Sequence, residues 1–294
     1  MPTRMTPRDF AFLMAINTIW GLNFIFVKTA VEAAPPLFVN MIRFLMVIAI
    51  CFPFLRWIPG RMKAVFGVSF LLGVMHFGVM FTAMSVADDI SVLAITSQLG
   101  VPFSTLLAIA FLDERIGWKR TFGICLAFGG VVIIAFEPRV LDTWLALVLG
   151  IVTAFFYAAA AIFMRRLRGV KPLEQQAWIA FVAVPFMALA TFVFEGSMVP
   201  HFESLNAPVI GAIAYSAIFS SIIAHGGMFY LLQRYPVTTT QPLTLLMPVI
   251  AVIAGVVFLG DVLTWKIALG GLVALFGVLI IMLRTAPRPA GGTI

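Results

Sequence analysis

Residues 73–81 read GVMHFGVMF and residues 222–229 read IIAHGGMF, so two of the chain's three histidines, His76 and His225, sit in similar apolar surroundings. An imidazole there can exchange a proton near neutral pH, or hydrogen-bond a carboxylate or an amine. Taken singly, each is better explained as a neutral ring bonded to a nearby carbonyl or serine. Recurrence at matched places favours one functional feature written twice, with both rings on a shared cavity.

Other polar side chains fall at helical spacing in comparable runs. Asn17, Trp20 and Asn23 lie within an arc of about 120° on a helix. An amide in hydrocarbon needs a partner, so this arc faces protein or a cavity. Interhelical hydrogen bonding would serve both asparagines, whereas Trp20 between them suits a cavity wall. Ser91, Gln98 and Thr105 recur along one run, and Gln241, Thr244 and Pro248 form one stripe of another, with Gln98 the favoured polar contact. Pro102 and Pro248 each remove a backbone donor, which predicts either a static kink or a bend about which a helix moves. Tyr157, Trp178 and Tyr230 offer rings for stacking on a ligand, although packing and interfacial roles are commoner. Arg43 is the fully charged residue inside an apolar run. It reads first as an anchor paired with Glu32 or Asp88, and second as a ligand for a substrate carboxylate.

The elements that hold these residues follow from composition. Of 294 residues, 62% are hydrophobic and 11% charged, with a mean hydropathy of +1.10. An ordinary soluble domain carries about 25% charged residues. Too little polar side chain remains to cover a water-facing surface, so the chain is read as an all-α polytopic membrane protein. Apolar runs of bilayer-spanning length predict ten helices, at 10–28, 37–55, 64–86, 91–112, 118–136, 144–164, 173–194, 208–232, 238–259 and 267–283. The first is read as a retained helix, too long for a signal peptide's apolar core. Alternate connections carry 15 of the Lys and Arg residues against 3 in the others, which places both termini in the cytoplasm. The net charge of +7 is therefore a topology signal rather than a nucleic-acid patch. Cys51 and Cys125 have neither metal-ligand spacing nor a disulfide framework.

The two halves resemble each other. A shift of 147 residues pairs Glu114 with Asp261, Trp118 with Trp265, Lys119 with Lys266, and Gly130 with Gly277. His76 and His225 fall in the third helix of each half. Five helices is an odd number, so the halves, 1–140 and 141–294, enter the membrane in opposite directions as an inverted repeat. Such folds place substrate sites near the midplane, where the repeats meet. Gly123, Gly129, Gly130, Gly270, Gly271 and Gly277 read as packing seams of helices five and ten, away from any substrate.

Four stretches now carry a family resemblance: WGLNFIFVK, APPLFVNMIRFL, the ending FLDERIGWK…GICLAFGGVVI, and RYPVTTTQPLTLLMPVIAVIAG. Together, over nearly the whole chain, they resemble the drug/metabolite transporter superfamily and its ten-helix EamA-type members. Within it the chain is similar to the O-acetylserine/cysteine exporters. The resemblance implies proton-linked or facilitated efflux of small amino-acid metabolites by alternating access. One departure is Asp261, where the family usually has Glu, without the arginine that follows Glu114.

No phosphate-binding glycine loop, nucleophile–base pair or intramembrane carboxylate pair occurs, so no catalytic residue, metal site or cofactor is expected. The expectation is an inner-membrane secondary transporter exporting small amino acids or related metabolites. Its partners are a small organic solute, the bilayer and, as coupling ion, the proton. A monomer and a homodimer both fit. The alternatives are a carrier of other organic metabolites or drugs, and a membrane enzyme acting on lipids. That enzyme would group Asp113, Glu114 or Asp261 with a histidine at one membrane face. A phosphorylated-sugar carrier would need several cations in the cavity, and only Arg43 is available.

Overall fold

An apolar chain in lipid has no water to bond its N–H and C=O groups, so each run must satisfy them internally by winding into a helix. The computed structural model describes residues 5–112, 117–164, 167, 169–235 and 241–283, and every regular element among them is helical. We label the long helices α1 (Pro7–Ala33), α2 (Pro36–Cys51, tightened at Phe52–Phe54), α3 (Met62–Val86) and α4 (Ile90–Ser97 and Gly100–Leu112). They continue with α5 (Trp118–Ala135), α6 (Trp144–Met164) and α7 (Pro172–Glu195). Next is α8, which runs through Ala207–Tyr215, Ser216–His225 and Gly226–Arg234. Then come α9 (Gln241–Leu245, Leu246–Ala254 and Gly255–Leu259) and α10 (Trp265–Leu283). Among the described residues, 6 helices are long and apolar enough to cross a membrane: α1, α2, α3, α4, α7 and α8. The apolar parts of α5, α6, α9 and α10 are shorter, at 10–17 residues. The expected start of the ninth helix at 238, and Asp113 and Glu114, lie outside the described residues.

Proline sets the breaks in α4 and α9. Pro102 would clash with the carbonyl of Gln98, four residues back. The chain answers with a tight turn, Val101 N–H donating to Gln98 O at 3.1 Å, and helix resumes at Gly100. Pro248 likewise sits just inside Leu246–Ala254, after the tight turn Gln241–Leu245. Wide π-turns interrupt α3 at Phe70–His76 and α8 at Ser216–His225, and each ends on its histidine. Such turns loosen side-chain and carbonyl geometry and are frequent at functional sites.

At one end of the bundle, helix N-termini are capped from the opposite half of the chain. Neither α2 nor α4 has a side-chain cap of its own. The Glu195 carboxylate, closing α7, accepts from Leu37 N at 2.7 Å and Phe38 N at 2.9 Å. Asp261 accepts from Ser91 N at 2.9 Å and Ser91 Oγ at 2.6 Å, while Asp89 accepts from Val262 N at 3.2 Å. Lys28, which reads as a boundary residue in the sequence, is buried. It donates to Ala87 O at 2.5 Å at the C-terminus of α3, where a cation suits the helix dipole. At the other end Asp9 accepts from Tyr235 Oη at 2.5 Å, with Arg234 4.0 Å away.

The seam between α5 and α10 is backbone on backbone. A Cβ on Gly130 would lie 2.4 Å from Ala274 N, and one on Gly277 2.5 Å from Ala127 N. Gly129 departs from the expected seam, because a Cβ there meets nothing within 4 Å, and Gly271 instead faces Ile95 of α4. Gly130→Ala is therefore expected to lower stability by about 1–3 kcal/mol through overpacking. Gly129→Ala is expected to leave it unchanged or slightly raised, with thermal unfolding of the detergent-purified protein as the measurement. In the same assay, Asp261→Ala should cost about 1–2 kcal/mol, the worth of a lost helix cap.

Candidate functional site

The two π-turns bring the histidines together around one ring. Phe77, next to His76 on α3, has its centroid 4.7 Å from the His76 ring and 5.8 Å from the His225 ring. Trp20 of α1 meets His225 edge-on at 4.9 Å, and Tyr157 of α6 lies 5.4 Å from His76. Tyr157 also packs over Gly100, just past the break in α4; an added Cβ there would sit 3.3 Å from its Cδ1. Trp20, His76, Phe77 and His225 are each partly accessible, and Tyr157 is 39% exposed. These rings arrive from four different helices, α1, α3, α6 and α8.

The hydrogen bonds fix what the histidines present. His76 Nδ1 lies 2.9 Å from Thr153 O and 2.9 Å from Thr153 Oγ1, whose own hydrogen goes to His76 O at 2.7 Å. A carbonyl can only accept, so in the neutral ring Nδ1 carries the hydrogen and Nε2 is left as an acceptor. His225 is less settled by its surroundings. Its Nδ1 is 2.7 Å from Ser220 O and 3.3 Å from Trp20 Nε1, and a neutral nitrogen serves one of these at a time. With hydrogen on Nδ1 it donates to Ser220; with hydrogen on Nε2 it accepts from Trp20.

Beneath Phe77 lies Arg43, 1% exposed. The expected pairing with Glu32 or Asp88 is absent: Glu32 pairs with Lys28 at 3.3 Å, and no carboxylate among the described residues reaches the guanidinium. Instead Nε and Nη2 donate to Ser221 Oγ at 3.1 and 2.6 Å, and Nη1 donates to Asn40 Oδ1 at 3.2 Å. Ser221 is aimed by the π-turn, which lets its hydroxyl donate to Ser216 O, five residues back, at 3.0 Å. Three rings cover the cation, Phe77 at 4.0 Å, Phe44 at 4.7 Å and Phe81 at 5.4 Å.

Of the residues singled out in the sequence, Trp20, Arg43, His76, Tyr157 and His225 thus meet. Asn17 shares their helix and donates to Leu13 O at 2.8 Å, leaving its buried Oδ1 without a partner, as is that of Asn23. Gln98 is buried at the break in α4, and Pro102 and Pro248 are buried beside their turns. Thr244 is half-buried in the first turn of α9, and the Gln241 side chain lies outside what the structure describes. Tyr230 is not part of this cluster: it is 42% exposed and accepts from the Arg234 guanidinium. Trp178 donates to Arg56 O at 2.9 Å, also away from it. Sequence reasoning missed Phe77, Thr153, Ser221 and Asn40. For the serine and threonine the signal was present, a hydroxyl inside an apolar run; for Phe77 there was none. Asp261 has Ser91 as its partner and no histidine, so the arrangement required of a lipid enzyme is not formed around it.

Comparison with known proteins agrees with this architecture. A probable amino-acid metabolite efflux pump of Salmonella typhimurium is 25% identical, covering 94% of this chain and 95% of that protein. One of the same description from Escherichia coli is also 25% identical, with coverages of 94% and 95%. A solved crystal structure shares the fold with a TM-score of 0.64 at 16% identity, covering 94% of this chain and 96% of the other. The model of the EamA-like transporter family matches twice, at residues 10–136 and 144–283. With nearly all of its length matched, this multi-pass helical membrane protein belongs to the EamA-like transporter family.

Proposed function

We propose that the protein is a secondary transporter of the inner membrane that exports small amino acids or related metabolites by alternating access. In this reading all ten apolar helices span the bilayer, as two inverted five-helix repeats with both termini cytoplasmic. The double match of one family model and the Lys/Arg asymmetry support that arrangement. The observation that carries the function is the meeting of Trp20, His76, Tyr157 and His225, drawn from both halves, around Phe77 and above Arg43. Polar atoms with spare capacity inside an aromatic shell are what a small polar solute needs in order to leave water. The unpartnered Oδ1 atoms of Asn17 and Asn23 add acceptors on the same helix as Trp20. The names of the relatives support the substrate class, and the acid caps at one end support a gate there. A proton exchanged at His76 or His225 is the coupling step in this scheme.

Overexpression is expected to raise one or more amino-acid metabolites outside the cell, measured by mass spectrometry of the medium. A medium unchanged in small metabolites would rule the export reading out. His76→Ala and His225→Ala should each depress efflux at equal membrane abundance, and efflux into vesicles should respond to an imposed pH gradient. Full activity in both variants would remove the histidines from the mechanism. Thr153→Val, which removes the hydroxyl that donates to the His76 carbonyl but keeps the Thr153 carbonyl beside Nδ1, should reduce efflux about fivefold, the worth of one hydrogen bond. Thr153→Ser should retain it.

A further inference from the structure

We propose that Arg43 is the receptor for the substrate's carboxylate, and that Phe77 is the ring the substrate must displace to reach it. This deepens the transporter reading and rests on the ring cluster being the substrate site. A buried cation is costly, and the ordinary remedy is a carboxylate partner. Here no carboxylate among the described residues reaches it, and several are bonded elsewhere: Glu32 to Lys28, Asp9 to Tyr235, Glu195 to α2 and Asp261 to α4. Neutral oxygens engage three of the five guanidinium N–H groups, so one on Nη1 and one on Nη2 have no acceptor among the described residues. Those two terminal nitrogens are the pair that grips a carboxylate in the bidentate mode.

One side chain separates this cation from the accessible cluster. Phe77 has the guanidinium 4.0 Å from its centroid and the His76 ring 4.7 Å from it. A ligand that takes the place of the ring meets the arginine on one side and the histidines on the other. His76 offers Nε2 as an acceptor there, suited to an ammonium group, and the surrounding aromatic faces suit a cation as well. Where α3 follows its histidine with Phe77, α8 follows His225 with Gly226, where a Cβ would meet nothing within 4 Å. The site is thus bipolar, and the ligand it fits is an α-amino acid with a free carboxylate.

The test compares the standard amino acids with their carboxamides, which keep the ammonium and lose the anion. Binding to purified wild-type protein is read by ligand-induced thermal stabilisation. At least one free acid should stabilise it at a concentration lower by about tenfold or more than its amide, the least that a charged hydrogen bond supplies. Arg43→Gln should erase the preference and Arg43→Lys should keep part of it. Phe77→Ala should keep the preference and respond at lower concentration, because no ring has to move. Equal response to acids and amides, or response to neither, overturns the assignment, and the wild-type comparison decides even if Arg43→Gln does not fold. The parent reading is tested separately by the efflux screen. Efflux with binding blind to the carboxylate sinks only the arginine's role, whereas selective acid binding without efflux sinks only the export reading.

Discussion

A guanidinium that no carboxylate among the described residues reaches, held in the middle of an apolar bundle, organises the rest of this structure. Arg43 joins α2 to α8 through Ser221, and its charge is spread over Phe44, Phe77 and Phe81. Each of those contacts constrains a neighbour. Ser221 can serve two guanidinium nitrogens because the π-turn of α8 opens the Ser216 carbonyl to its hydroxyl, and the same turn delivers His225 to Trp20. Phe77 lies over the cation and by doing so stands between the histidines. Removing the charge would therefore loosen the aromatic cluster as well as the contact between two helices.

The ends of the helices meet a different constraint. The first N–H groups of α2 and α4 have no local cap, and the acids that satisfy them belong to the other half of the chain. A cap is worth about 1–2 kcal/mol, so these contacts add only a few kcal/mol at that end. Water can replace each carboxylate if that end opens. A ligand that gains a few kcal/mol more in one state than in the other is enough to tip such a balance. The α5–α10 seam is unlike this, since its backbones touch and cannot slide without steric cost. Rigid and separable contacts are thus allotted to different parts of the fold.

Much of this was legible in the sequence, for physical reasons that differ by residue. Apolar runs marked where helix forms because lipid leaves the backbone no alternative, although 6 helices among the described residues are long and apolar enough to cross a membrane, and α1 begins at Pro7, earlier than the runs suggested, under a Thr6 cap. Glycine spacing found the seam at Gly130 and Gly277 but wrongly included Gly129, since spacing does not say which face a partner helix covers. Arg43 was noticed because charge in an apolar run is conspicuous. Its expected acid partners were wrong, because pairing depends on which helices pack together, and that is decided by long-range contacts. Phe77 was invisible for the opposite reason: one phenylalanine among 29 carries no signal until its neighbours are placed.

The echo of GVMHFGVMF in IIAHGGMF hides an asymmetry. His76 is tied to α6 through Thr153, with one nitrogen committed as donor and the other left as acceptor. His225 is bonded within its own helix and to Trp20, and its donor and acceptor roles can interchange. One histidine is followed by a ring that shields a cation, the other by a glycine that leaves space. Two like copies in the proposed inverted arrangement would make a site symmetric about its centre, suited to a ligand with identical ends. The differences at Phe77, Gly226 and Arg43 remove that symmetry, and the proposed site then has an anion-seeking side and a side of acceptors and aromatic faces. A small zwitterion matches that polarity, and under the proposal it would bind there in one orientation only.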